Sequence, residues 1–187
     1  MTTVLVAYGT GEGQTADIAD RIADVLRGRD TVVETVDVDE RDPDPDAFDA
    51  VVVGSSIHLE RQHPGVVSFV TANRDALAAR PTAFFQVSLS DAVDDPERRA
   101  EAARYVDDFL EDTGWHPDRI GRFGGALRYS KYGFLKRLVL KQIARDATGD
   151  VDTSRDYEYT DWDEVDAFAA DFLAFAEGRL GTSASDT

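Results

Sequence analysis

Tyr8-Gly-Thr-Gly-Glu-Gly-Gln-Thr15 is the stretch from which the chain is read. It follows Val4–Ala7, an apolar run that predicts a buried first strand. After it, Ile18, Ile22, Val25 and Leu26 recur on one face of a predicted helix. The loop is therefore a strand-to-helix turn that presents its backbone N–H groups at a helix N-terminus. Orphan amides and the positive end of the helix dipole both favour a phosphate there. Three glycines let the backbone approach closely and adopt positive φ, and Thr10 and Thr15 add hydroxyls. A Walker A loop needs Lys where Gln14 stands, and a dinucleotide fingerprint needs Gly at that same position. What remains is a cation-free loop suited to one terminal phosphate, with an ordinary ligand-free glycine-rich turn as the alternative.

Alternating strands and helices continue along the chain. Thr31–Val38 alternates apolar and polar residues, a strand at or near a sheet edge. Ala50–Val53 is a continuous apolar run, as a central parallel strand buried on both faces would be. It leads into Gly54-Ser-Ser-Ile-His-Leu-Glu-Arg-Gln-His63, a second loop at the strand ends where open α/β sheets bind ligands. His63 reads as a solvent-exposed loop histidine, and the same reading stands as the alternative for His58. Pro64 opens a helix, Thr82–Ser88 is the fourth strand, and Leu89–Pro96 is a third loop, without an aromatic residue. The helix Glu97–Asp112 is expected to turn Ala100, Ala103, Val106, Phe109 and Leu110 inward, and Ile120–Ala126 is the fifth strand. The pattern predicts an α/β fold, a doubly wound five-stranded parallel sheet. Asp161 or Thr160 caps a last helix whose Trp162, Val165, Phe168, Phe172 and Phe175 form a core face. We read residues 1–180 as one domain and 181–187, small and polar, as a disordered tail.

The chain of 187 residues carries 37 acidic residues against 20 basic ones, a net charge of −17. Acids scattered along the whole length read as adaptation to a salt-rich cytoplasm and argue against a nucleic-acid partner. The sequence has no cysteine, so thiolate and iron–sulfur chemistry are excluded. Only three histidines occur, widely or awkwardly placed, and no metal is expected. No stretch approaches membrane-span length. One segment reverses the charge. Residues 127–150 form a basic insertion after the fifth strand: from Leu127 to Arg145 there is no acid, and all three lysines of the chain, Lys131, Lys136 and Lys141, lie in it. With Leu135, Leu138, Val139 and Ile143 as an apolar face, it reads either as a membrane-surface helix or as a surface helix whose cations pair the acidic body.

The phosphate loop resembles that of flavodoxins. Together with Gly54-Ser-Ser-Ile57, Trp115-His-Pro-Asp-Arg119, Gly124-Gly-Ala-Leu-Arg-Tyr129, Tyr132 and Tyr159-Thr-Asp-Trp162, it is similar to the menaquinone-dependent protoporphyrinogen IX dehydrogenase family, over nearly the whole chain. The resemblance implies a flavodoxin-like fold with FMN and removal of hydrogen from a reduced tetrapyrrole, with a quinone as acceptor. It implies that Thr10, Gly11, Glu12, Gly13, Gln14 and Thr15 hold the phosphate. Ser55, Ser56 and Ile57, with Val87, Ser88 and Leu89, would border the ring. Arg128, Lys131 and Lys136 would meet substrate propionates or anionic lipid, on a cytoplasmic protein touching the inner face of the cell membrane. No catalytic side chain is assigned, because the chemistry belongs to the flavin. Two rivals stand beside this reading: a flavodoxin-type electron carrier between redox partner proteins, and a flavin-less binding module.

Overall fold

The protein is described by a computed structural model covering residues 1–27, 31–127, 145 and 156–185. The basic insertion, including Arg128, Lys131 and Lys136, lies outside the described residues. Strand β1 (Thr2–Gly9) is central and leads into helix α1 (Gln14–Arg27). Next come edge strand β2 (Thr31–Asp37) and strand β3 (Ala50–His58), which turns back as the two-residue β4 (Arg61–Gln62). Helices α2 (Pro64–Ala72) and α3 (Arg74–Ala78) precede β5 (Thr82–Ser88), and helix α4 (Pro96–Thr113) precedes β6 (Arg119–Gly124). Short strands β7 (Ala126–Leu127) and β8 (Tyr157–Glu158) pair with each other, and helix α5 (Trp162–Ser185) closes the described chain.

The five long strands are parallel in the order β2-β1-β3-β5-β6. The connection reverses direction between β1 and β3, which makes that junction the switch point of the sheet. Successive side chains point to opposite faces of a strand, and β1 shows the result. Val4 and Val6 join Ile18, Ile22 and Leu26 of α1 and Phe172 and Leu173 of α5 on one side. Leu5 and Ala7 join Val66, Phe69 and Phe84, then Phe109 of α4 and Trp115, on the other. Both faces are covered, so the strands read as continuous apolar runs. Each fully buried aliphatic or aromatic side chain here contributes about 1.5–3 kcal/mol.

The order of elements, the edge position of β2 and the helix opened by Pro64 agree with the sequence reading. Four details differ. Strand β3 runs on through Ser55 and Ser56 to His58, because the β4 hairpin keeps its end paired. The buried face of α4 is Ala102, Val106, Phe109 and Thr113, while Ala100 is exposed; the helix is rotated so that Phe109 tilts onto Phe84 at 4.9 Å. The fifth strand breaks at Gly125, whose N–H donates to the Ser88 carbonyl at 2.9 Å. Helix α5 continues past Gly181 to Ser185, where the composition predicts a disordered tail.

Candidate functional site

A cleft of about 150 Å³ opens at the C-terminal ends of β1, β3, β5 and β6. The loop after β1 forms its first wall. Gly13 takes φ +100°, a left-handed value that favours glycine. Its N–H donates to Thr10 Oγ1 at 2.9 Å, and its carbonyl accepts from Asp17 N at 3.1 Å, the first bond of α1. Thr10 thus closes the loop from within, like a cap. Gln14 and Thr15 are buried at the start of α1. The Gln14 side chain reaches across the fold: its Nε2 donates to Thr160 Oγ1 at 2.8 Å, and that hydroxyl donates to the Gly124 carbonyl at 2.8 Å.

The second wall is the end of β3. Ser56, Ile57 and His58 line the cleft. Ser56 Oγ is buried and has no hydrogen-bond partner. A buried hydroxyl without a partner is costly, and this one belongs to a residue of the cleft wall; a Cβ built on Gly11 would stand 3.9 Å from it. Ser55 is a correction to the sequence reading. It is fully buried beside the cleft wall; its Oγ accepts from His63 N at 3.0 Å and donates to the Ser56 carbonyl at 3.3 Å, holding the loop from behind.

His63 is a second correction. It caps α2: its Nδ1 accepts from Gly65 N at 3.2 Å, Nε2 lies 3.4 Å from Asp39, and its side chain is only 13% exposed. Gly9 makes room for the ring, since a Cβ there would come within 2.5 Å of it. His58, by contrast, is exposed at the rim. Beyond it, Leu59 and Glu60 take φ of 48° and 62° in the two-residue turn between β3 and β4.

The third wall is built at the end of β5. Val87, Ser88 and Leu89 line the cleft. Ser88 Oγ donates to Asp91 Oδ2 at 2.7 Å, and Asp91, nearly buried, is met by Arg122 at 3.3 Å. Gly125, Ala126 and Leu127 complete the rim. Leu127 packs with Leu89, Tyr157 and Tyr159, whose rings lie parallel with centroids 6.4 Å apart. The third loop lacks an aromatic of its own, and the pair of Tyr157 and Tyr159 packs behind Leu127 and outside the cleft lining. A Cβ on Gly124 would collide with the Tyr159 carbonyl at 2.5 Å, so the approach of that strand requires glycine. Sequence reasoning did not place Gly125–Leu127 or Thr160 at the site, since nothing local marks residues that meet it from over a hundred positions away.

No Lys or Arg lines this cleft among the described residues. A phosphate there would rest on amides, hydroxyls and the helix dipole. The phenol of Tyr8, just before the loop, is pushed above its ordinary value by burial and then by Asp37 and other nearby acids, so it stays neutral. The residues fit a phosphate-bearing flavin: a glycine cradle at a helix start, an unpartnered Ser56 hydroxyl, and apolar Ile57, Leu89 and Leu127 for a planar ring.

A doubly wound parallel sheet with a glycine-rich turn after β1 and a cleft at the switch point is the arrangement of a flavodoxin-type protein. Residues 5–154 match the flavodoxin domain family, and the chain belongs to it. It is 33% identical over 167 residues, 88% of this chain and 91% of the relative, to protoporphyrinogen IX dehydrogenase (quinone) of Escherichia coli strain K12. The protein of the same name from Leishmania major is 33% identical over 172 residues, 91% of this chain and 74% of that one. Among solved structures, a short-chain flavodoxin associated with a non-canonical PDU bacterial microcompartment superposes with a TM-score of 0.61 at 14% identity, covering 94% of this chain and 99% of that one. A flavodoxin from the domain Archaea gives 0.53 at 13%, covering 94% and 99%. At these identities the structural neighbours speak for the fold alone.

Proposed function

We propose that the protein is an FMN-dependent oxidoreductase that takes hydrogen from protoporphyrinogen IX, or a related reduced tetrapyrrole, in haem biosynthesis and passes the electrons to a quinone. The observation that carries this reading is the match to the dehydrogenases of that name over nearly nine-tenths of the chain. It outweighs the carrier reading, whose support is a fold shared at low identity. When bound, the flavin supplies the hydrogen acceptor. The chain's own residues bind and orient. Backbone amides of the Gly11–Thr15 loop other than Gly13 N, which donates to Thr10 Oγ1, would hold the phosphate together with the Thr15 hydroxyl; Thr10 Oγ1 keeps its own hydrogen to donate. Ser56 Oγ would offer the ring a hydrogen-bond partner, and Ile57, Val87 and Leu89 would exclude water from it. Ser88 is held in place by Asp91.

Arg128, Lys131 and Lys136 contact substrate carboxylates or the anionic inner face of the cell membrane, with the protein otherwise cytoplasmic. Support for this is their charge, in a chain of net −17. The contact proposed is a peripheral one; no helix among the described residues is long and apolar enough to cross a membrane. Changing Lys136, Arg137 and Lys141 to Glu should abolish sedimentation with anionic vesicles; unchanged sedimentation would sink this part. The same charge predicts that added KCl raises the melting temperature, through screening of self-repulsion.

The test of the main reading starts with the visible spectrum of the purified protein before and after anaerobic reduction. It then follows porphyrin fluorescence on mixing with protoporphyrinogen and a menaquinone analogue. Failure to take up FMN overturns the redox reading; rapid electron exchange with a reductase without porphyrin formation returns the carrier. Ser56→Ala should leave the flavin-free protein as stable as before, because it removes an unsatisfied hydroxyl. It should weaken FMN binding by about twofold to tenfold.

A further inference from the structure

A second hollow, of about 640 Å³, lies between α2 and α4 beside the β3–β4 turn. Its walls carry hydrocarbon from Pro64, Val67, Phe109 and the ring of Tyr105, and its rim carries Glu60, Asp108, Glu111 and Asp112, with Arg61 the single cation. Acids alone would make a solvated face. The second observation is Gln62, which lines the hollow and is 6% exposed. Its Nε2 donates to Gln86 Oε1 at 2.7 Å and to the Tyr105 carbonyl at 3.3 Å. Gln86 cannot be turned over, because its own Nε2 donates to the Ala102 carbonyl at 3.0 Å and to Asp91 at 3.1 Å. Two acceptors therefore fix each amide. The other arm of the Gln62 amide, Oε1, is left buried with no donor.

We propose that this groove binds an alkyl-guanidinium or alkyl-ammonium cation, whose head donates to Gln62 Oε1 among the rim carboxylates and whose stem lies on Val67, Phe109 and Tyr105. Each part of the lining selects that chemistry. The orphan oxygen wants a donor, the carboxylates want positive charge, and the apolar wall wants hydrocarbon, which long cationic chains carry beside their heads. An aromatic face adds a cation–π contact. A bare metal ion does not fit, since no three His, Asp or Glu among the described residues stand close enough to hold one. Anionic ligands, a phosphate or a propionate-bearing tetrapyrrole included, are repelled by the rim. Tyr105 stays neutral in this setting, its phenol pushed up to about 12 by burial and by its hydrogen bond to Glu101. Hydrogen bonds run from Gln62 through Gln86 and Asp91 to Ser88 at the flavodoxin cleft.

The cation has two sources, a free polyamine or the basic side chain of a protein partner. Agmatine titrated into the full-length protein should bind saturably, one per chain, by calorimetry. It should shift the side-chain amide resonances of Gln62 and Gln86 in a nitrogen-15 spectrum. Gln62→Met, which removes the acceptor, should weaken binding about tenfold or more. Should that variant fold poorly, Asp108→Asn with Asp112→Asn, both exposed, should weaken it without disturbing the fold. Spermidine binding as tightly as agmatine assigns a free polyamine. A doubly capped arginine amide binding as tightly as agmatine assigns a protein side chain. The proposal is overturned if nothing saturates, if tetramethylammonium, which has no N–H, competes equally, or if the variants bind as well as the parent protein.

Discussion

Thr10–Thr15 and Gly124–Leu127 border the same cleft, yet they are held there by different means. The first wall is closed by its neighbours in sequence: Thr10 Oγ1 to Gly13 N, Gly13 O to Asp17 N. The second is held from afar. Gly124 O accepts from Thr160, Thr160 accepts from Gln14, and Gly125 is bonded to Ser88 and Tyr159. Local bonds of this kind ask little loop-closure entropy, while distant ones form only once the sheet and α5 are docked. The turn of the loop is therefore set mainly by bonds close in sequence, with Gln14 tying it across the fold, and the opposite rim is held by the whole fold.

Substitutions can break that contrast or sharpen it. The largest effect belongs behind the walls, in the sheet that carries both. A Cβ at Gly54 would meet the Phe85 ring at 2.1 Å, in a core where Phe85 has no exposure. Gly54→Ala should cost about 1–3 kcal/mol or more, read as a fall of several degrees in melting temperature, and should weaken ligand binding at both walls together. Thr160→Val should come next. It strips the Gly124 carbonyl and Gln14 of their partner and should cost about 1–2 kcal/mol, with amide exchange rising at Gly124–Leu127 and remaining slow at Thr10–Thr15.

Thr10→Ala is the mirror experiment. Loss of the cap-like bond should cost about 1 kcal/mol, with exchange rising at Gly13 and FMN affinity falling, while the far rim stays protected. If both variants loosen both walls equally, the two are one cooperative unit and the contrast fails.

The smallest effect is electrostatic and ties α1, which starts at the loop, to α5, which starts at the far rim. Arg21 donates twice to Asp166 at 2.6 Å. That hydrogen bond and the guanidinium charge hold the Asp166 carboxyl below its ordinary value. A depressed carboxylate contributes stability above its unfolded value, near pH 4, and the contribution is lost as pH falls through the folded value. Asp166→Asn should therefore lower the melting temperature slightly at pH 7 and flatten its decline below pH 4. Exposure of both groups keeps the change small. Equal acid limbs for the two proteins would show that the pair contributes nothing.

The parts of the site legible in the sequence are those whose chemistry is local. Glycines and threonines between an apolar run and an amphipathic helix predict a phosphate loop because spacing alone places amides at a helix start. Ser56 and Val87–Leu89 could be placed at the cleft because strand ends converge at the switch point of any such sheet. His63 was misread for the opposite reason. Histidine in a polar loop looks exposed until the fold brings Gly9 and Asp39 against it. Ser55 was placed at the ring, but β3 continues in extended form, and the pleat turns its side chain away from the cleft that Ser56 faces.

By itself, then, the sequence determined the order of strands and helices, the doubly wound sheet and the glycine-rich turn after β1. All of these follow from hydrophobic period and backbone conformation over a few residues. Only the tertiary structure decided that Tyr157 and Tyr159 pack on Leu127 and Thr160 ties Gln14 to Gly124 behind the rim, that Ser56 keeps an unpaired hydroxyl, and that Gln62 keeps an unpaired carbonyl. Those outcomes depend on which buried polar atoms find partners, and a partner far along the chain is chosen only when the packed core fixes where each side chain ends.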